Sequence, residues 1–382
     1  MGFKAAIIIL FAVFVSNSEV NACTAFYVKT KDRILVGNNE DGGNPETRIW
    51  IVPGENGTYG RMYFGFSDLS AQGGINEKGL WFDAFGLPFK SVNTQGEIYA
   101  GDLQDKLMAE CATVNEVIEL LKYYNRSPMT RYQWMFGDSK GNSVIIQGDT
   151  VILKHRNYQI VTNFRQSVYP DGKGYDCPRY RIADDLLSSH SGIDMDNVRN
   201  ILSSTHSEGQ DVTLYSYIAD LTNGLVYVYH FHNFENAVVL NVKNEISKGK
   251  HVYILSEMFP KTNAAESFEY RARLELNQLK ASRRFKDFDS ETFPEYFGNY
   301  IISTPEILAN QLITISQGHD CLNLQLNGGG PYELIPESPE AFVMLSYGGL
   351  EFACRFKRNM SLSGHELSMD GSGLAIIAKR IE

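Results

Sequence analysis

The stretch that decides the fold is Cys23-Thr-Ala-Phe-Tyr-Val28, which a polar turn joins to Ile34-Leu-Val-Gly37. Both arms are rich in β-forming residues, so they predict a β-hairpin that starts at Cys23. The second arm runs on into Gly37-Asn-Asn-Glu-Asp-Gly42. We expect Asp41, just past the second strand, to fold back to the start of the first, where its carboxylate can hold a charged α-amine. Taken alone, an Asp at such a position is more often a turn former.

Residues 1–22 have the pattern of a secretory leader. A positive residue precedes an unbroken apolar run from Ala5 to Val15, which is too short to span a bilayer. Val20 and Ala22 are small residues at the positions that favour cleavage before Cys23. We therefore expect a signal peptide over 1–22, a mature chain that begins at Cys23, and a secreted or periplasmic protein without a transmembrane segment.

An N-terminal cysteine carries a nucleophile and a base in one residue. Its α-amine has a pKa of about 8 and its thiol a pKa of about 8.5, so both groups titrate near neutral pH. The amine can take the thiol proton and later deliver it to a leaving amine. A lipid anchor is the alternative, because Val20-Asn-Ala-Cys23 loosely resembles a bacterial lipobox. A lipidated Cys23 would make the chain a non-enzymatic lipoprotein.

The composition excludes several classes of protein. The 382 residues carry 45 acidic and 35 basic side chains, a net charge of −10, with 43% hydrophobic and 12% aromatic residues. A disordered chain is poorer in apolar residues, and a nucleic-acid-binding chain is usually basic. The five cysteines are odd in number, so at least one is unpaired, and a disulfide between Cys321 and Cys354 stays open.

The order Cys-Thr, hairpin, Gly-x-Asn-x-Asp resembles the start of the N-terminal-nucleophile (Ntn) amide hydrolases of the choloylglycine hydrolase and penicillin V acylase family. It is also similar to the related acyltransferases of the isopenicillin N type. The resemblance implies that Cys23 is the nucleophile and that Asp41 holds its amine. The family motif usually has an Arg where this chain has Asn38. A cation that favours the thiolate is therefore missing at Asn38, and bile-salt specificity does not follow from the resemblance.

Two later segments imply an oxyanion hole, and the resemblance as a whole covers roughly residues 23–260. The segment Asn76-Glu-Lys-Gly-Leu80 leads to Gly86, whose backbone N–H the resemblance places at the oxyanion. Gly86 is equally an ordinary turn glycine. In Ile160-Val-Thr-Asn-Phe164, the resemblance implies that the side-chain amide of Asn163 completes the hole. One N–H aimed at an oxyanion is worth about 3 kcal/mol.

The segment Cys177-Pro-Arg-Tyr180 is similar to a Pro-Arg segment of the family. The resemblance implies that Arg179 supports the active-site carboxylate and the nucleophile. It also implies the αββα four-layer sandwich of Ntn hydrolases for the first domain, which we expect over 23–290.

The coarse pattern of the sequence predicts an α+β chain. Helices are predicted over 105–124, where a capping box at 113–116 can restart the helix, and over 180–187, 195–202 and 264–285. Strand-like stretches lie between them. After residue 290, short strand-like runs separated by Gly, Ser and Asn predict a small all-β accessory domain over 291–382.

The resemblance implies a secreted cysteine Ntn amidohydrolase that acts through an acyl-thioester on Cys23. Its expected partner is a small linear N-acyl amide, such as a conjugated bile acid, penicillin V or an acyl amino acid, and not nucleic acid. An acyltransferase of the same fold, which passes the acyl group to an amine, is not separated from it by sequence. A homo-oligomer is left open.

No cofactor and no metal ion is expected from the sequence. His230 and His232 alternate on one predicted strand and share a face there, as two metal ligands do. No Asp, Glu or Cys stands at a spacing that would complete such a site, so we interpret both as ordinary strand histidines.

Overall fold

The computed structural model describes the chain from Cys23 onward with short gaps, and the expected signal peptide over 1–22 lies outside the described residues. The described residues are 23–97, 99, 102–127, 129–189, 192–209, 211–286, 288, 293–305, 311–326, 331–347, 351–359, 364–371 and 374–381. Within these ranges the chain forms two large antiparallel sheets, six α-helices and a closed β-barrel. None of the described helices is both long enough and apolar enough to span a bilayer.

The first sheet has the predicted hairpin at its centre. Its strands are β1 (Thr24–Lys29), β2 (Ile34–Gly42), β10 (Tyr158–Val161), β11 (Val212–Asp220), β12 (Leu225–His230) and β13 (Asn233–Asn241). They lie in the order β10-β1-β2-β11-β12-β13. The hairpin is confirmed, but β2 continues beyond Gly37 because β11 pairs with it as far as Gly42. Asp41 therefore lies inside β2, opposite Thr213, and not in a turn beyond the strand.

The second sheet packs face to face with the first. Its strands are β3 (Thr47–Val52), β4 (Arg61–Phe66), β5 (Ala71–Asn76), β6 (Trp81–Gly86), β7 (Tyr132–Gly137), β8 (Ser143–Gln147), β9 (Thr150–Leu153) and β14 (His251–Ile254), in the order β14-β3-β4-β5-β6-β7-β8-β9. Tyr27 and Tyr217 of the first sheet share a buried cluster with Phe64 and Trp81 of the second. This shared core is where the two sheets meet.

Helices cover the outer face of each sheet. Their bounds are α1 (Leu103–Glu110), α2 (Val114–Leu121), α3 (Pro178–Ser189), α4 (Met195–Thr205), α5 (Val242–Ser247) and α6 (Asn263–Arg283). Tyr180 and Ile201 belong to a core cluster on the first sheet, whereas Leu107 and Val117 belong to one on the second. The helix predicted over 105–124 is two helices, because the capping box at Thr113 starts α2 anew. The other three predicted helices are present as α3, α4 and α6.

A closed eight-stranded barrel follows α6. Its strands are β15 (Gly298–Thr304), β16 (Leu312–Gln317), β17 (Leu322–Leu326), β18 (Tyr332–Pro336), β19 (Ala341–Leu345), β20 (Glu351–Asn359), β21 (Gly364–Gly371) and β22 (Leu374–Ile381). Arg283 at the end of α6 binds Glu337 of the barrel at 2.6 Å. The Tyr332 hydroxyl donates to Asp68, which lies in the loop between β4 and β5. The barrel thus contacts both α6 and the second sheet.

The cysteines form no disulfide in this structure. All five are free and buried. The pairing that the sequence left open, between Cys321 and Cys354, is absent because the two belong to different packing clusters. Cys354 lies in the main barrel core, whereas Cys321 packs beneath Leu276 of α6.

Candidate active site

Cys23 lies immediately before the first central strand and is almost fully buried, with 3% of its surface exposed. Thr24 pairs with Asn39 in the hairpin, so Cys23 lies opposite Glu40. The Cys23 Sγ is 3.6 Å from Glu40 Oε1 and 3.7 Å from the backbone oxygen of Asp41. The hairpin register therefore sets the thiol against two consecutive acidic residues.

Asp41 is a buried carboxylate with two different neighbours. Its Oδ1 accepts a 2.5 Å hydrogen bond from the Thr213 hydroxyl, and its Oδ2 lies 3.8 Å from Arg179 Nη1. Burial raises the pKa of Asp41 to about 7, against the lowering effects of Thr213 and Arg179. In the chain as described, where Cys23 still follows residue 22, the carboxyl is therefore poised to titrate near neutral pH.

Arg179 connects the predicted site residues to one another. It lies in the first turn of α3, and its Nη1 donates to the Cys23 carbonyl at 2.7 Å and to the Thr24 hydroxyl at 2.8 Å. Its Nη2 donates to Asn163 Oδ1 at 3.4 Å. One guanidinium therefore binds the backbone of Cys23 and the amide of Asn163, and lies 3.8 Å from the carboxylate of Asp41. The five donors of the rigid guanidinium suit such a junction.

Asn163 and Gly86 meet where the two sheets come together. Asn163 follows β10 of the first sheet, and Gly86 is the last residue of β6 in the second. The Asn163 Nδ2 donates to the Gly86 carbonyl at 3.2 Å. The contact engages the oxygen of Gly86, so the oxyanion role of its backbone N–H stays a prediction, as does that of the second N–H of Asn163.

Asn38 holds the position where the family motif usually has an arginine near the thiolate. It is fully buried in β2, on the same face as Glu40, because alternate residues of a strand share a face. Its amide lowers the pKa of Glu40. The structure thus places Asn38 beside the acid next to the nucleophile, while the contact with Sγ belongs to Glu40 itself.

Glu40 is a candidate site residue that the sequence motifs did not indicate. It is 3% exposed, and burial, Asp83 and then Asp41 raise its pKa well above the usual range of a glutamate. The missed signal was strand alternation: once β2 extends to Gly42, its inward face carries Asn38 and Glu40 toward the nucleophile.

Asp83 is a second buried acid near Glu40, and it sits on β6 of the opposite sheet. The Tyr217 hydroxyl donates to Asp83 Oδ2 at 2.7 Å and accepts from Trp81 Nε1 at 2.8 Å. Burial raises the pKa of Asp83 well above its usual range, although the bond from Tyr217 opposes this. A Cβ at Gly73 would collide with Asp83 and Tyr217, so glycine is required there.

The surroundings of Cys23 keep its thiol protonated in the chain as described. Burial, then the negative charges of Glu40 and Asp41, raise the thiol pKa well above its usual value. A thiol is a weak nucleophile until a base takes its proton. The site therefore contains acids, a junction arginine and an amide, but its thiol needs a base that these side chains do not supply.

Side chains that could hold a metal ion lie away from the thiol. Among the described residues, the group with suitable donor atoms is His206, Glu208 and His232, beyond the C-terminus of α4. The sequence pattern predicts that His230 and His232 share one face of a strand. The structure separates these two, because Phe231 takes a left-handed backbone (φ 56°) in the tight turn that ends β12.

Comparison with known proteins gives similarity at the level of solved structures. No protein-family model matches the chain, and no curated protein matches it. A mutant of conjugated bile acid hydrolase from Clostridium perfringens is similar with a TM-score of 0.48 and 18% identity, over 60% of this chain and 96% of that chain. A second variant of that enzyme has a TM-score of 0.46 and 18% identity, over 60% and 96%.

Penicillin V acylase from Agrobacterium tumefaciens is similar with a TM-score of 0.48 and 15% identity, over 60% of this chain and 90% of that chain. These neighbours are of the choloylglycine hydrolase and penicillin acylase Ntn family, the same family that the sequence motifs resemble. At such identities and TM-scores the likeness carries no argument about substrate. The proposal that follows therefore rests on the geometry of the site.

Proposed function

We propose that this chain is a secreted cysteine Ntn amidohydrolase. A leader over 1–22 is removed, and Cys23 becomes the first residue of the mature chain. Its substrate is a linear, non-peptide N-acyl amide of the class that includes conjugated bile acids, penicillin V and acyl amino acids. The proposed architecture is an αββα four-layer sandwich over 23–290 with an accessory β-domain over 291–382.

The observation that carries this proposal is a set of buried carboxylate oxygens around Cys23. Glu40 Oε2 and Asp41 Oδ2 are buried, and neither has a hydrogen-bond partner among the described residues. Leaving a buried polar atom without a hydrogen-bond partner costs about 1–3 kcal/mol. A free α-ammonium at Cys23 would bring three N–H donors and one positive charge to this place. The unsatisfied acids therefore support a chain in which the amine of Cys23 is released.

The released amine also supplies the base that the thiol needs. It accepts the thiol proton, and Sγ attacks the carbonyl carbon of the amide while the π electrons move to oxygen. The second Asn163 N–H and the Gly86 backbone N–H bind the oxyanion. The ammonium then returns the proton to the leaving nitrogen as the C–N bond breaks, which leaves an acyl-thioester on Cys23.

Deacylation reverses the same roles. The amine takes a proton from water, the hydroxide attacks the thioester carbonyl, and the acid leaves as the thiol is regenerated. Throughout the cycle Asp41 orients the amine. Arg179 holds Asp41, Asn163 and the Cys23 carbonyl in fixed positions relative to one another. No step of this cycle calls on a cofactor.

A panel of N-acyl amides tests the function. We expect the mature chain to release free amine from at least one of them, and Cys23→Ala to lower that rate by at least about ten-thousand-fold, as loss of a nucleophile does. Cys111→Ala is the matched control, because Cys111 is an equally buried free thiol in a different cluster. It should leave the rate unchanged.

Retention of the rate by Cys23→Ala would overturn the proposed nucleophile. Release of amine with transfer of the acyl group to an added amine, instead of to water, would replace the hydrolase by an acyltransferase on the same site. Product analysis by mass spectrometry distinguishes the two outcomes.

A further inference from the structure

Three side chains of types that bind metal ions, those of His206, Glu208 and His232, converge beyond the end of α4. His206 is the C-cap residue of α4, Glu208 follows it, and His232 lies in the turn between β12 and β13. One donor atom from each residue lies within 4.8 Å of the others. The rings of His206 and His232 have centroids 4.8 Å apart. Residues distant in sequence thus converge on one point.

The hydrogen bonds of His206 leave one ring nitrogen facing an acceptor. Its Nδ1 is 2.5 Å from the carbonyl oxygen of Ser203, and since a carbonyl only accepts, the hydrogen sits on Nδ1. Its Nε2 is 2.8 Å from Glu208 Oε1. In the neutral ring with its hydrogen on Nδ1, Nε2 is an acceptor that faces a carboxylate, so a cation fits between the two atoms. A proton fits at the present 2.8 Å, and a metal ion fits once the exposed Glu208 side chain moves away to ligand spacing.

His232 decides between these two cations. Its Nε2 is buried and has no hydrogen-bond partner among the described residues. A proton on His206 would satisfy the contact with Glu208 and leave His232 Nε2 unused. A metal ion would use both imidazole nitrogens and the carboxylate together. The Phe231 ring, 4.2 Å from the His232 ring between centroids, stacks on it and fixes its direction.

We propose that His206, Glu208 and His232 form a binding site for a divalent transition-metal ion, with zinc as the best match. Two imidazoles and one carboxylate are a ligand set typical of zinc, and the backbone bond at His206 Nδ1 is the outer contact that zinc-binding histidines usually make. Ligand atoms around tetrahedral zinc lie about 3.4 Å apart. The side chain of Glu208, which is 69% exposed, is free to move from its 2.8 Å contact with His206 Nε2 to that spacing.

Two hydrogen bonds connect this site to the proposed active site. Ser207 lies between two of the ligands, and its backbone N–H donates to the Thr213 hydroxyl at 2.8 Å. The same hydroxyl donates to Asp41 Oδ1 at 2.5 Å. A bound metal ion would hold His206, Ser207 and Glu208 in place, and with them the donor that orients Asp41.

The chain contains a matched control for this ligand geometry. His251 Nδ1 is 2.7 Å from the Gly249 carbonyl, and its Nε2 is 3.3 Å from Glu245 Oε2. This pair repeats the histidine–carboxylate contact and the backbone bond but has no second histidine among the groups described as converging there. It should not bind zinc tightly.

Calorimetric titration of zinc into the chelator-treated full chain tests the proposal. The Cys23→Ala background keeps the nucleophile from binding the metal. We expect one zinc ion per chain, bound more than about tenfold more weakly by His232→Ala and by Glu208→Gln, as loss of one of three ligands implies. His251→Ala should bind as the parent does. Zinc should raise the Tm of the parent and of His251→Ala, but not that of His232→Ala.

Circular dichroism of each variant shows whether it folds. Because Glu208 is exposed, Glu208→Gln should fold as the parent does. Absence of zinc binding by the parent would overturn the proposal and leave only the hydrogen-bonded contact between His206 and Glu208. Binding that neither His232→Ala nor Glu208→Gln weakens would overturn it as well, because the metal would then lie elsewhere.

Discussion

The interior of the barrel and the space between the two sheets are both closed and rich in aromatic side chains, but they differ in charge. In the barrel core, Tyr296 stacks on Phe356 and Phe342 meets both rings edge-on, and no charged side chain is buried among the described barrel residues. Where the two sheets come together, Glu40 and Asp83 are buried beside the thiol of Cys23.

This difference in buried charge distinguishes a core that serves packing from a candidate site. Burying an unpaired carboxylate destabilises a fold, so a core that serves only packing excludes it, as the barrel core does. The sheet-to-sheet space keeps acids whose pKa values burial has raised. Perturbed groups of this kind concentrate at functional sites. The following variants test whether the contrast in charge is also a contrast in function.

Among the variants that keep Cys23, the largest effect is expected from Arg179. Arg179→Met removes the donors to Cys23, Thr24 and Asn163, so these groups lose their mutual alignment. We expect kcat/KM to fall by about a hundredfold or more, as small displacements of reacting groups do. Arg181→Met is the control on the same helix, because Arg181 forms a surface ion pair with exposed Asp176. An equal effect of the two variants would contradict the assigned role.

The next effect concerns stability and pH in the chain that retains residue 22. The pKa values of Glu40 and Asp41 are raised in the folded state, so the fold is favoured while these acids are protonated and loses stability as pH rises through their unfolded and folded pKa values. We expect Glu40→Gln to reduce this loss between about pH 5 and about pH 8 by roughly 1 kcal/mol or more. Urea unfolding at both pH values measures it.

Glu55→Gln supplies the comparison, since Glu55 is exposed on a loop of the second sheet. It should keep the pH dependence of the parent chain. If Glu40→Gln kept the pH dependence too, the pKa of Glu40 would not be raised in the folded chain.

The smallest effect is expected at the contact between barrel and sheet. Tyr332→Phe removes the hydroxyl that donates to Asp68, and the loss of one such hydrogen bond destabilises the protein by about 1 kcal/mol. We expect kcat/KM to change by less than about threefold, because the contact is made through a loop. Tyr270→Phe, at an exposed position on α6, is the control. A loss as large as that of Arg179→Met would make the barrel part of the catalytic machinery.

Local patterns in the sequence predicted much of the fold. The alternation after Cys23 predicted the hairpin, and the Thr113 capping box predicted the start of α2. Cys23, Asp41, Asn163 and Arg179, named from motif order, are brought together by the structure.

Other features depended on contacts between distant residues. Glu40 could not be assigned to the site until the pairing of β11 with β2 extended that strand. The His206, Glu208 and His232 cluster was equally hidden, because it needs the left-handed turn at Phe231 to carry His232 across to α4.

The measurement that tests the account most directly compares two versions of the chain, one that begins at Cys23 and one that retains Ala22 before it. Mass spectrometry of the assayed samples verifies the first residue, and turnover of the best N-acyl amide is measured for both. The account predicts turnover only by the chain with the free Cys23 amine, because that amine is both the base and the missing donor for Glu40 and Asp41. Equal turnover by the chain that still carries Ala22 would contradict it.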